Sequence, residues 1–233
     1  MKIIADMHTH THMSGHGIDS ARTLCEFAVR RGLQGIAITD HGPGFPGGPH
    51  PVHFMSLKRM IRGIDLPLRV MYGIEDDIKN RRGELSLSEE VLRSMEIVLT
   101  GIHPFTWIGE QKPAVRTDAV INCLQRGLAQ VFTHPVGHYR EVEVELVIDA
   151  AVSAGVALEL NGAKLEEHDL IFRYLETCAR RDALMVVNSD AHVGEEVGVF
   201  DTALKLLEEV GYPKHLIVNR SREAIESFLK ITW

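Results

Sequence analysis

Seven short apolar runs, rich in β-branched residues, recur along the chain, and nearly every one ends in a side chain of a metal-binding type. The runs are Ile3–Met7, Gly35–Thr39, Leu68–Ile74, Ile97–Ile102, Gln130–Thr133, Ala157–Leu160 and Leu184–Asn188. They lead in turn into Asp6-Met7-His8-Thr9-His10, Thr39-Asp40-His41, Gly73-Ile74-Glu75, Gly101-Ile102-His103, Thr133-His134-Pro135, Glu159-Leu160-Asn161 and Ser189-Asp190-Ala191-His192. Runs of this length and character read as strands. Segments of helical periodicity separate them, among them Ser20–Arg31, Arg116–Arg126, Glu143–Ala154 and His168–Arg181, with Thr202–Val210 after the seventh run. Gly32, Gly127, Gly155 and Gly211 fall where helix C-terminal caps are expected. A final strand-like run, Leu216–Asn219, precedes the helix-like Ser221–Lys230.

Repeated strand–helix units predict parallel strands joined by right-handed crossovers. Seven or eight such units can close a barrel, and the alternative is an open doubly wound sheet. The polar strand ends discriminate between them. In a barrel all C-terminal strand ends converge on one face, whereas in an open sheet only those near the switch point do. The pattern therefore predicts an α/β barrel. Without a Pro-, Gly- or Ser-rich linker, residues 1–233 are expected to form a single domain. The one unusual loop, Gly42–Pro51 (GPGFPGGPHP), is too short to be a boundary.

Neutral imidazole and carboxylate are the ligands that suit zinc, iron or manganese. His8 and His10 stand two apart, so in a strand both imidazoles project to one side and reach one ion. One such pair is a weak signal, but the same placement in strand after strand is not. His138, His168 and His215 read as ordinary polar residues. His50 and His53 flank the Gly/Pro-rich loop and fit either substrate contact or a plain loop role. Arg81 and Arg82, in the turn KNRRGE, fit a solvated turn better than a phosphate clamp.

The net charge is −7, with no basic run, so no stable complex with long nucleic acid is expected. A small anionic substrate stays open, because bound cations would offset the charge locally. No stretch is long enough to span a membrane. The three cysteines, Cys25, Cys123 and Cys178, lack CxxC spacing and fit a reducing, cytoplasmic setting.

The set DMHTH, SGH, ITDHG, GIE, GIH, THP and SDAH, in this order, resembles the PHP (polymerase and histidinol phosphatase) superfamily. The resemblance runs from Ile4 to about Phe228 and is closest to the stand-alone, YcdX-like phosphatase branch. TatD-like nucleases and amidohydrolases share the HxH, later histidines and a final Asp. They do not pair it with a TDH after the second strand and an SDAH after the last.

The resemblance implies a distorted (βα)7 barrel with a trinuclear site for divalent ions, zinc first, with manganese or iron as alternatives. His8, His10, Glu75 and Asp190 would hold one ion. Glu75 would bridge to a second held by His103 and His134. His16, His41 and His192 would hold a third, with His12 as the alternative to His16. The implied activity is hydrolysis of a phosphate ester by a metal-bridging hydroxide, with Asp190 moving protons and Glu75 holding the ions together. Asp6 and Asp40 are expected to orient histidine ligands. A small phosphomonoester is the expected substrate, a nucleic-acid end cleaved by a phosphodiesterase or exonuclease is the alternative, and a non-catalytic metal-binding module is the third reading.

Overall fold

The computed structural model describes residues 1–103, 105–136, 142–162, 165 and 167–233; His138 lies outside them. Seven parallel strands run in sequence order: β1 (Ala5–Asp6), β2 (Gly35–Ile38), β3 (Arg69–Asp77), β4 (Ile97–Gly101), β5 (Val131–Phe132), β6 (Ala157–Asn161) and β7 (Met185–Asn188). Each pairs with its sequence neighbour in parallel register. Helices α1 (Ala21–Arg30), α2 (Val52–Ile61), α3 (Glu89–Arg93), α4 (Pro113–Gln125), α5 (Val144–Ala154), α6 (His168–Arg180), α7 (Asp201–Val210) and α8 (Arg222–Leu229) alternate with and follow them. This is a nearly closed, distorted (βα)7 barrel.

The strands obey the alternation that a barrel imposes. Ala5, Ala37, Met71, Ile97, Leu99, Val131, Ala157 and Val186 form one buried cluster, joined by Ile225 and Leu229 of α8, so α8 packs on the barrel interior. The alternate residues, such as Ile36, Ile38, Val98, Phe132, Leu158 and Val187, form a second cluster with apolar faces of α1, α2 and α4–α7. Helix ends follow local chemistry. Ser20 caps α1 by accepting the Thr23 N–H, and Gly155 and Gly211 end α5 and α7 at φ of 66° and 69°, where a Cβ would be strained.

Between β7 and β1 no ladder forms, and side chains close the seam instead. The Met7 N–H donates to Asn188 Oδ1 at 3.0 Å, and Thr9 and Ala191 share one parallel bridge. Asp6 accepts from the backbone N–H groups of Ser189 and Gly198 and from the Ser189 hydroxyl. Burial raises its carboxyl to about 6, against the pull of those donors. Leu216–Asn219 is not an eighth strand: it lies in two 3-10 turns, with a single bridge from Ile217 to Met185. The amide of Asn219 donates to Ala5 O and Val187 O while its oxygen accepts from Val187 N, so one side chain satisfies groups that a strand ladder would have used.

Candidate active site

The C-terminal strand ends deliver their polar side chains to one buried cluster. His8 Nε2 and His10 Nε2 lie 2.9 Å apart. His8 Nε2 is 3.2 Å from Glu75 Oε2 and 3.3 Å from Asp190 Oδ1, and His10 Nε2 is 3.3 Å and 3.1 Å from the same two atoms. Glu75 turns its other oxygen, Oε1, toward His134 Nε2 at 3.1 Å and His103 Nε2 at 3.9 Å. Its two oxygens thus face two separate donor sets. His41 Nδ1 lies 3.1 Å from Glu75 Oε2, and the rings of His41 and His192 each lie 4.4 Å from that of His10.

Donor atoms within 4.8 Å of one another fall into overlapping groups: His8, His10, Glu75 and Asp190; Glu75, His103 and His134; His10, His41 and His192; and His41, Asp77 and His103. His41 Nδ1, Glu75 Oε2 and His192 Nε2 are buried with no hydrogen-bond partner among the described residues. Orphaned, inward-facing lone pairs of imidazole and carboxylate are what a divalent cation satisfies, and the donor set fits such ions.

His16 reaches the rim. Its ring lies 4.3 Å from that of His192 and 5.1 Å from that of His41, but it joins none of the compact donor groups. His12 is exposed, its Nδ1 donating to Asp19 O at 3.3 Å, and it lines a separate cavity behind β2. His53 bonds Asp40 Oδ2 at 3.1 Å, and exposed His50 accepts from the Val52 N–H. His168 pairs with Glu209 on the surface. Arg81 pairs with Asp118, and Arg82 with Glu84, both in the open.

Several orienting residues went unread in the sequence. Glu159 Oε1 accepts from His8 Nδ1 at 2.7 Å, and Asp77 Oδ1 accepts from His103 Nδ1 at 2.5 Å. Each contact commits one ring nitrogen and leaves Nε2 for the cluster. Asn161 donates to Asp190 Oδ2 at 3.0 Å, and Ser14 bonds His10 Nδ1 at 3.0 Å while donating to Asp40. Asp40 therefore acts on His10 through Ser14, and Asp6 secures the seam rather than a histidine ring. The two-residue alternation that marks His8 and His10 also links Glu75 to Asp77 and Glu159 to Asn161.

Burial opposes ionisation of Glu75, but His8, His41 and His103 outweigh it and hold the carboxyl well below the usual range. Burial likewise opposes protonation of His8, and Glu159, Glu75 and Asp190 overcome it. His41 is held well below its ordinary value by burial and then by His10, and the same two causes lower His192 to about 4. Neutral imidazole is the ligand form. Asp190 and His134 occupy left-handed backbone, at φ of 55° and 31°, a conformation non-glycine residues adopt where surrounding structure enforces it.

Above the cluster opens a cavity of about 450 Å³, with His16, His41, Glu75, His103, Asp190 and His192 below and Phe45, Pro46 and Phe105 around it. Phe45 belongs to the Gly42–Pro51 loop, and its ring stacks on His41 at 3.9 Å and 9°. Gly47, at φ 87°, passes so close to Gly15 that a Cβ on Gly15 would lie 2.9 Å from the Gly47 Cα. The loop thus rests on the turn that carries His16.

A barrel with convergent histidine and carboxylate donors at its strand ends defines a metal-centred hydrolase architecture. The PHP domain family model matches residues 6–190, and the chain belongs to that family. A probable phosphatase of Shewanella sp. strain ANA-3 is 35% identical over 234 residues, covering 98% of this chain and 92% of its own. Another, from Caldanaerobacter subterraneus subsp. tengcongensis, is 31% identical over 235 residues, covering 99% and 92%. Among solved structures, the histidinol phosphate phosphatase of Lactococcus lactis, complexed with zinc, L-histidinol and phosphate, shares the fold. Its TM-score is 0.66 at 18% identity, covering 90% of this chain and 94% of that one. A Xaa-Pro dipeptidase with bound methionine has a TM-score of 0.59 at 11% identity, covering 98% and 75%. The fold alone therefore does not specify the bond cleaved.

Proposed function

We propose that this PHP-family enzyme is a phosphomonoesterase acting on a small phosphorylated metabolite, with residues 1–233 working as one domain. One observation carries the reading: Glu75 presents Oε2 to His8 and His10 and Oε1 to His134, at the floor of a cavity with Phe45 and Pro46 of the Gly42–Pro51 loop at its rim. His8, His10, Glu75 and Asp190 would hold one divalent ion, Glu75, His103 and His134 a second, and His41 and His192 with His16 a third. Zinc is the first candidate, and the zinc, L-histidinol and phosphate bound to the Lactococcus lactis protein support both the metal and a small ester. Such ions, when bound, make water nucleophilic near neutral pH and offset phosphoryl charge.

The chain does the positioning. Glu159 and Asp77 fix the His8 and His103 rings, and Asn161 fixes the Asp190 carboxylate. Asp190 is the group that takes a proton from the attacking water and returns it to the leaving oxygen. Water adds at phosphorus, the ester P–O bond breaks, and alcohol and phosphate leave. Phe45 and Pro46 of the Gly42–Pro51 loop stand at the cavity rim, where they would limit access for polymer chains. Three free, buried cysteines support a cytoplasmic setting, and no described helix is long and apolar enough to cross a membrane.

A panel of phosphomonoesters and phosphodiesters, assayed on protein loaded separately with zinc, manganese and iron, tests the reading. Monoester turnover exceeding diester turnover supports it, and the reverse order replaces it with the phosphodiesterase.

A further inference from the structure

The cavity has two kinds of wall. Ionisable groups make the floor, while Phe45, Pro46 and Phe105 make the rim. Phe105 is 76% exposed, a large apolar ring standing in water two residues past His103. Phe45 is held by its stack on His41, so it offers a pre-ordered aromatic surface whose ordering cost is already met. No lysine or arginine lines this cavity among the described residues. A second phosphate or a carboxylate on the substrate would call for such a cation. A flat apolar body would instead cover the exposed ring and gain from hydrophobic and aromatic contact.

We infer that the substrate is the monophosphate of an alcohol with a flat aromatic body, and that Phe105 and Phe45 are the residues that select it. The inference rests on the phosphomonoesterase reading of the same site.

Binding separates the inference from the activity. Benzylphosphonate and methylphosphonate carry the same head group and resist hydrolysis, so calorimetric titration of the metal-loaded, full-length protein reads the rim alone. Benzylphosphonate should bind roughly ten-fold more tightly, as one good aromatic contact of about 1.4 kcal/mol provides. Phe105→Ala should bring that ratio toward one. Ile108→Ala, at a 77% exposed position outside the cavity lining, should leave the ratio unchanged. In turnover, benzyl phosphate should exceed glycerol 3-phosphate in kcat/KM, with the difference mainly in KM. Equal binding of the two phosphonates, or a preference that survives Phe105→Ala, overturns the inference while leaving the phosphomonoesterase reading intact. Selective phosphonate binding without hydrolysis of any monoester sinks the activity and keeps the apolar subsite.

Discussion

The Nδ1 of His8 lies 2.7 Å from Glu159 Oε1, both groups fully out of water. That one contact fixes the His8 ring so that Nε2 meets Glu75 and Asp190. The other Glu159 oxygen accepts the His134 backbone N–H at 2.9 Å, so one carboxylate positions parts of two donor sets. Glu159→Gln should lower metal affinity by about 10–100-fold, the range for partners behind a ligand. Excess metal should then restore much of the turnover. Titrating activity and bound metal together checks this, and a loss that excess metal does not repair would mark Glu159 as purely structural.

Glu75→Gln should have a larger effect, because it weakens both oxygens' donor sets at once. Turnover should fall by more than about 100-fold, beyond the range of the outer partners. Elemental analysis should find two or three ions per chain in the parent protein and fewer in the variant, with far-UV circular dichroism unchanged. One ion in the parent protein would rule out the trinuclear arrangement.

The ligand-type residues were legible because strand ends converge in a barrel, and sequence order then suffices to bring Glu75, His103, His134 and Asp190 together. Glu159 and Asp77 were not, since their partners depend on how neighbouring strands face one another across the sheet. Helix α2 escaped because the Gly/Pro-rich loop before it dominates the local pattern. The run Leu216–Asn219 misled for a different reason. Its apolar residues suit a strand, but the Asn219 amide takes the place between β1 and β7 and makes a ladder there unnecessary. His16 shows the limit of spacing: a loop histidine reaches the rim by a turn geometry that no period describes.

Alkaline pH should destabilise the protein through its thiols. Burial raises Cys25, Cys123 and Cys178 from an ordinary 9.0 to about 12. Above pH 9 the unfolded chain loses these protons while the folded chain keeps them, so stability falls as pH rises, up to the folded values. Each thiol contributes a slope of about 1.4 kcal/mol per pH unit inside that window. Urea unfolding at pH 8, 9 and 10 measures it. An aromatic disulfide reagent should leave the native thiols untouched at pH 8 and titrate all three in denaturant, and rapid native labelling would contradict the burial.

Shortening the Gly42–Pro51 loop should narrow the gap between a small phosphomonoester and single-stranded DNA. The change removes Phe45 from His41 and opens the mouth. With metal matched and salt low, the intact protein should turn over the monoester faster, and the shortened one should gain relative DNA cleavage. Faster DNA degradation by the intact protein would favour the exonuclease reading.

The seam between β1 and β7 also sets an order of events during synthesis. His8 and His10 leave the ribosome early, but Asp190 and His192, which complete their donor groups, come much later, and Asp6 waits as long for Ser189. A nascent chain therefore lacks the His8–His10–Glu75–Asp190 and His10–His41–His192 groups until its last strand has emerged and docked against its first. Ions in these two groups are therefore expected to load only on the finished barrel, and the ion present at that point should decide what they hold.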